Sequence, residues 1–251
     1  MMDALYSAAS GMTAQQTSMD VVANNLANAT TSGYKRDRLD LVDLAYQPFT
    51  LPGGREGQVG LGAAPGRVNK EHEQGALQNT GRGMDVAIQG EGFFQVTRPD
   101  GSLAYTRAGN LQVDANGRIG MPTGELLQPR IQVPAGATEV TIAANGQVSA
   151  VVAGKVTTIG TITTASFTNP SGLQAAGGNL FVATANSGAA QAGTPGTGDR
   201  GMLSQGVLES SNVNVGTEMI SLITTQRAFE ASSKVVMASD EMMGMANGLR
   251  R

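Results

Sequence analysis

The 251-residue chain contains 34 Gly and no Cys or Trp, and only 4% of it is aromatic. The missing Cys excludes disulfide frameworks, thiolate nucleophiles and Cys-based metal sites, and a single His (His72) excludes a multi-histidine centre. A formal net charge of -3 gives no whole-chain reason to expect nucleic acid, and charged residues at 15% fall below the roughly 25% usual for soluble domains, as for a surface that partners cover.

The opening MMDALYSAASGMTAQQ has no basic n-region and no apolar block, so it does not read as a cleaved secretory signal. No run reaches the ~18 apolar residues of a membrane helix, and no direct membrane insertion is expected. Residues 1–34 predict an N-terminal assembly helix. Leu5, Met12, Met19 and Leu26 recur every seven residues, with Ala9, Gln16 and Ala23 four positions after the first three. The only charges there are Asp3 and Asp20, and the other faces carry Ser, Thr, Gln, Asn and Ala. A helix with one wet face normally carries Lys, Glu and Arg on it, so this one is expected to pack on several neighbours. Asn24, Asn25 and Asn28 would be costly if buried unpaired, which implies hydrogen bonds that fix its register. Thr30 to Gly33 form a stop, with Gly33 as a left-handed cap or turn residue.

Residues 35–83 are expected to be an extended connector. Lys35, Arg36 and Arg38 interleave with Asp37, Asp40 and Asp43, a pattern of ion pairs rather than a basic patch. LPGGREGQVGLGAAPG after them reads as a loop. From 84 to 203 the period switches to two, in MDVAIQG and FFQVTR. Asp100-Gly101, Asn116-Gly117, Asn145-Gly146 and Ala153-Gly154 punctuate short β-prone runs as hairpin turns do. This predicts a central antiparallel β domain. Residues 204–251 are expected to be a C-terminal assembly helix capped by Asn214, with Val215, Leu222, Phe229, Val236 and Met243 seven apart, flanked by Met219, Ile223, Met242 and Leu249. The expected class is α+β, two terminal heptad helices packed together around a β domain in sequence.

No catalytic constellation emerges, and no cofactor or metal is expected. IQGEGFF has a G-x-G without the third Gly and enters a strand, so Gly90 and Gly92 read as a bend and not a phosphate loop. Asp85 and Glu91 read as surface acids at strand ends, and His72 as a solvated side chain in the connector.

SAASGMTAQQTSMDVVANNLANATTSGYKR, with ANNLAN followed by T-x-G-Y-K, resembles the N-terminal signature of bacterial flagellar rod and hook proteins. SSNVNVGTEMISLITTQRAFEASSKVV is similar to their C-terminal signature, and MDVAIQGEGFFQV with DGSLAYTRAGNLQVDANGRI is similar to their middle segment. The chain is identified as a member of the flagellar basal-body rod family, most like its distal members. The resemblance implies a structural subunit exported unfolded by the flagellar type III apparatus. Such a subunit self-assembles into a helical tube that transmits torque from motor to hook and encloses the export channel. The implied partners are copies of the chain, other rod subunits, the hook protein and the surrounding basal-body rings, along a rod crossing the periplasm. LPGG follows LVDLAYQ almost directly where distal members carry a longer insert, so a proximal rod subunit is the nearest alternative. A carbohydrate-binding or hydrolytic β protein is the alternative of another class, and it should work without its helices.

Overall fold

The computed structural model describes residues 2–51 and 55–248. The chain divides into two compact units, a helical one (2–27, 37–71 and 213–248) and a β one (28–36 and 72–212).

The helical unit is built on α1 (Met2–Ala27) and α2 (Val215–Gly248). α1 has no Pro and a single Gly, and its many Ala residues favour the helix. Asn214 caps α2, accepting the Thr217 N–H at 3.2 Å on its side-chain oxygen. A Cβ on Gly11 would lie 3.7 Å from Ser232 Oγ, and Asn25 Nδ2 donates to Glu218 Oε2 at 3.3 Å. Moving from Gly11 to Asn25 along α1 thus moves from Ser232 back to Glu218 along α2, so the two helices run antiparallel.

The stretch read as connector and loop is a two-stranded ribbon. β1 (Asp37–Asp43) pairs with β4 (Ala63–Lys70), and β2 (Tyr46–Leu51) pairs with β3 (Arg55–Gly60), all antiparallel. The bonds from Leu44 N to Gly62 O and from Leu61 N to Ala45 O join the two pairs. REGQVG (residues 55–60) extends here because Gly57 and Gly60 lie opposite rings: Phe49 faces Gly57 and Tyr46 faces Gly60. A Cβ on Gly57 would come within 2.6 Å of the Phe49 ring. A ribbon of two strands is marginal in water, and β1 and β4 rest on α1. At Gly62 (φ 105) the turn lies on Ser7 and Ser10, where no side chain would fit. Of LPGG, residues 52–54 lie outside the described residues, as does Leu249.

In the β unit every named strand pair is antiparallel. β5 (Leu77–Asn79) pairs with Val207–Glu209, and β6 (Val86–Gln89) with Met202–Gln205. β7 (Phe93–Thr97) is the hub of the largest sheet, bonded to β8 (Leu103–Thr106), Leu126–Leu127 and Thr164–Ser166. Ala137–Ile142, Gln147–Val152 and Lys155–Thr161 make a separate three-stranded meander. The expected hairpin turns are in place, with Gly101, Gly117, Gly146 and Gly154 all at positive φ. β7 divides the core by its alternation. Phe94 and Val96 enter a cluster with Val86, Ile88, Leu111, Ile119, Leu127 and Ile162, all fully buried. Phe93 enters a second cluster, where its ring meets Phe167 and Phe181 edge-on at 5.8 and 5.9 Å.

The class is α+β as expected, and several local readings change. Residues 28–34, placed in the N-terminal helix, and 35–36, placed in the connector, belong to the β unit, and residues 204–205 and 207–209, at the start of the expected C-terminal helix, lie in strands. His72 is not a solvated side chain: its ring packs edge-on against Phe93 and Phe181 at 5.4 and 5.2 Å. Asp85 is fully buried and accepts from Thr80 Oγ1 at 2.7 Å, whereas Glu91 is exposed. Gly90 and Gly92, at φ 109 and 125, make the bend between β6 and β7.

Candidate functional site

The helix pair buries little. Leu5, Met12, Met19 and Leu26 on α1 and Leu222, Phe229, Val236 and Met243 on α2 are each partly buried. Ala9, Gln16 and Ala23 are exposed, because the inward positions of α1 come three residues after the leucines and methionines, at Ala8, Gln15 and Val22. On α2 the inward companions are Glu218, Thr225, Ser232 and Ser239. Val215 and Met219 do not join them and stand 44% and 52% exposed.

The apolar side chains of α2 lie on its other side. Ile220 (68% exposed), Ile223, Val235, Met237, Met242 and Met245 fall with Met219 on the half of the helix opposite Glu218, Phe229 and Val236, at 100° per residue. An isolated helix pair in water would place its apolar side chains the other way round.

The asparagines serve three different ends. Asn25, 1% exposed, uses its amide as a strand would, with Oδ1 accepting Asp37 N and Nδ2 donating to Asp37 O, each at 2.8 Å. It thereby sets the start of β1 and also reaches Glu218. Asn24 is exposed, 3.3 Å from Asp37 Oδ2. Asn28 accepts from Thr31 Oγ1 at 3.1 Å within the turn after α1.

The six charges read as one interleaved group are split between the units, Lys35 and Arg36 in the β unit and the other four in the helical unit. Arg38, with its side chain 61% exposed, pairs with Asp40 (3.1 Å) and Glu71 (3.5 Å), and Asp37 pairs with Lys70 at 2.8 Å. Arg36 donates its backbone N–H to Asn212 Oδ1 at 2.7 Å. Lys35 is buried within the β unit, 1% exposed, and meets Glu209 at 2.5 Å. The reason is local: Gly33, at φ 70, folds the chain against Ala108, and Gly33 N–H donates to Glu209 O at 2.8 Å. Glu209 also receives Arg107 at 3.4 Å. Burial lowers the Lys35 ammonium from its ordinary range, opposed by Glu209, and burial lowers Arg107 in the same way. Sequence reasoning missed Glu209. Its signal was available, since it is the only charge in GMLSQGVLESSNVNVGT.

Three family models match in chain order. Residues 5–35 match the flagella basal body rod protein model, 87–150 the flagellar hook protein FlgE/F/G D1 domain, and 204–249 the flagellar basal body rod FlgEFG protein C-terminal model. Relatives named flagellar basal-body rod protein FlgG align over nearly their whole length. The protein of Borreliella burgdorferi is 41% identical over 100% of both chains. That of Caulobacter vibrioides is 42% identical over 99% of this chain and 100% of its own. That of Buchnera aphidicola (from Acyrthosiphon pisum) is 41% identical over 97% and 98%.

The chain belongs to the flagellar basal-body rod protein family, of FlgG type. It is a structural subunit of the basal-body rod, of the distal kind, and belongs to an assembly with other flagellar components. These relatives are structural rod proteins, and no catalytic family is indicated. No helix among the described residues is long and apolar enough to cross a membrane.

Proposed function

We propose that the chain is the repeating subunit of a helical tube, whose terminal helices pack between copies and whose β unit faces away from the channel. In this reading the tube carries torque from motor to hook, encloses the export path and contacts other rod subunits, the hook protein and the surrounding rings. Subunits arrive through the flagellar type III apparatus and cross the periplasm in the rod. The chain performs no catalysis.

The observation that supports this is the outward half of α2. Its Met, Ile and Val side chains are exposed in one copy, whereas its inward positions include Glu, Thr and Ser. Such a face is stable in water only when other helices cover it, at roughly 1.5–3 kcal/mol for each large side chain buried. Leu5, Met12, Met19 and Leu26, with Leu222, Phe229, Val236 and Met243, then serve the packing of the pair. Val215 and Met219 serve contacts between copies. The exposed Arg38–Asp40 pair lies on the ribbon surface that a neighbouring subunit would meet.

The test is the double substitution Ile220→Glu with Ile223→Glu. It should abolish rod assembly and swimming while the subunit is still exported and its β unit melts at the parental temperature. Normal rods in the variant would overturn the reading.

A further inference from the structure

Three segments of the β unit meet at one buried carboxylate. Glu209 Oε1 accepts Lys35 Nζ at 2.5 Å and Gly75 N–H at 3.0 Å, and Oε2 accepts Arg107 Nη1 at 3.4 Å. Lys35 Nζ also donates to Glu73 O at 2.6 Å. Asn212 completes the group: its Oδ1 accepts Arg36 N–H, and its Nδ2 donates to Glu73 O at 3.2 Å. All of these residues belong to the β unit.

Their positions along the chain give the group its meaning. The backbone passes between the two units four times, after residues 27, 36, 71 and 212. Three of those passages lie within two residues of the group: Arg36 and Asn212 are the last β-unit residues before the chain leaves, and Glu73 follows the re-entry at His72. Apolar packing would hold these segments together without fixing their direction, because the hydrophobic effect is non-directional. Charge-assisted hydrogen bonds are directional and resist sliding. A buried ion pair is often no more stabilising than well-packed apolar residues, so stability alone does not account for this one.

We propose that Lys35, Glu209 and Asn212 form a mechanical clasp, positioning residues that hold the chain exits of the β unit together when force is transmitted along the backbone. The proposal rests on the torque-carrying role given above, since only a subunit under load needs its exits held.

The test is single-molecule pulling on the full-length monomer, which has no native Cys to interfere with attachment. Handles at Leu41→Cys and Met219→Cys, both exposed sites, load the β unit through its exits. Handles at Ser102→Cys and Val156→Cys load it elsewhere. Glu209→Gln should lower the unfolding force by at least half through the exits and leave it nearly unchanged through the other pair. Glu209→Asp should restore part of the loss. Asn212→Ala, which leaves the ion pair intact, should show the same asymmetry with a smaller drop and serves if Glu209→Gln does not fold. An equal drop along both axes, or none through the exits, would overturn the clasp. Rod assembly by the same variants is a separate readout, and its failure beside an asymmetric pulling result counts against the tube reading instead.

Discussion

The two units of this chain differ in what they bury. In the β unit the fully buried side chains are Phe94, Ile88, Leu111, Ile119, Leu127, Ile162 and their neighbours. In the helical unit the buried residues are Ala8, Ala14, Val22, Asn25, Glu218 and Ser239. One unit has completed its core, and the other keeps its large apolar side chains on the outside of α2. The difference separates a domain that folds for itself from one whose core forms only when copies meet, and substitutions can test it from either side.

The largest effect should come from the finished core. Phe94 is fully buried on the hub strand, inside the larger apolar cluster of the β unit, so Phe94→Ala should cost about 3–5 kcal/mol. For a unit of this size that lowers the melting temperature by roughly 6–20 °C. A calorimetric melt of the monomer reads it. An unchanged melt would mean that the cluster around Phe94 is not the cooperative core.

Next in size is the junction at Gly33. Its φ is 70, and a Cβ there would sit 2.5 Å from Ala108 N. Gly33→Ala should destabilise the β unit by about 1–3 kcal/mol, through left-handed strain and the displaced backbone. The outcome bears on where order begins in the free monomer. Amides of residues 28–36 should exchange slowly, with the β unit, whereas those of α1 and α2 should exchange fast at concentrations below assembly. A Gly33→Ala melt equal to the parent would show that this segment is not docked in the monomer.

Phe229→Ala sharpens the comparison from the other side. The ring is partly buried on the inward side of α2, and the β unit's melting temperature should move by no more than about 1 °C. Rod formation, scored by basal-body imaging and motility, should be lost or strongly impaired. A large drop in β-unit melting with normal rods would make the helix an internal brace.

What could be read from the sequence follows the same division. The β unit's alternation, its Asx-Gly turns and the Gly90–Gly92 bend are local patterns, and local patterns are visible one segment at a time. The heptad spacing of the helices was visible too, but not which flank accompanies it. Ala9, Gln16 and Ala23 fit a seam as well as Ala8, Gln15 and Val22 do, and only the partner helix decides. The ribbon was hidden because glycines at 57 and 60 argue for a loop until the rings at Phe49 and Tyr46 are placed opposite them. Lys35 and Glu209 lie 174 positions apart, and no spacing rule connects them. Asp85 and His72 went astray for a related reason, since burial is a property of the assembled sheet and not of the dipeptide.

The smallest expected effect lies at the β unit's surface, in the turn at Asp114-Ala115-Asn116-Gly117. The Asp114 carboxylate accepts the backbone N–H of Arg118 and of Asn116 and also the Arg118 guanidinium, each at 2.8 Å. The Arg118 N–H foremost, with the guanidinium and the Asn116 N–H, holds its pKa below the ordinary carboxylate value of 3.8. A carboxyl whose pKa is depressed by folding stabilises the fold above the unfolded value, and the contribution is lost as pH falls through the folded one. Asp114→Asn should therefore melt slightly below the parent at neutral pH, and the gap should close only under acid conditions below 3.8. High salt should narrow it too, because the ion-pair part is screened at an accessible site. A gap that persists unchanged into acid would assign the difference to the geometry of the turn and not to the charge of Asp114.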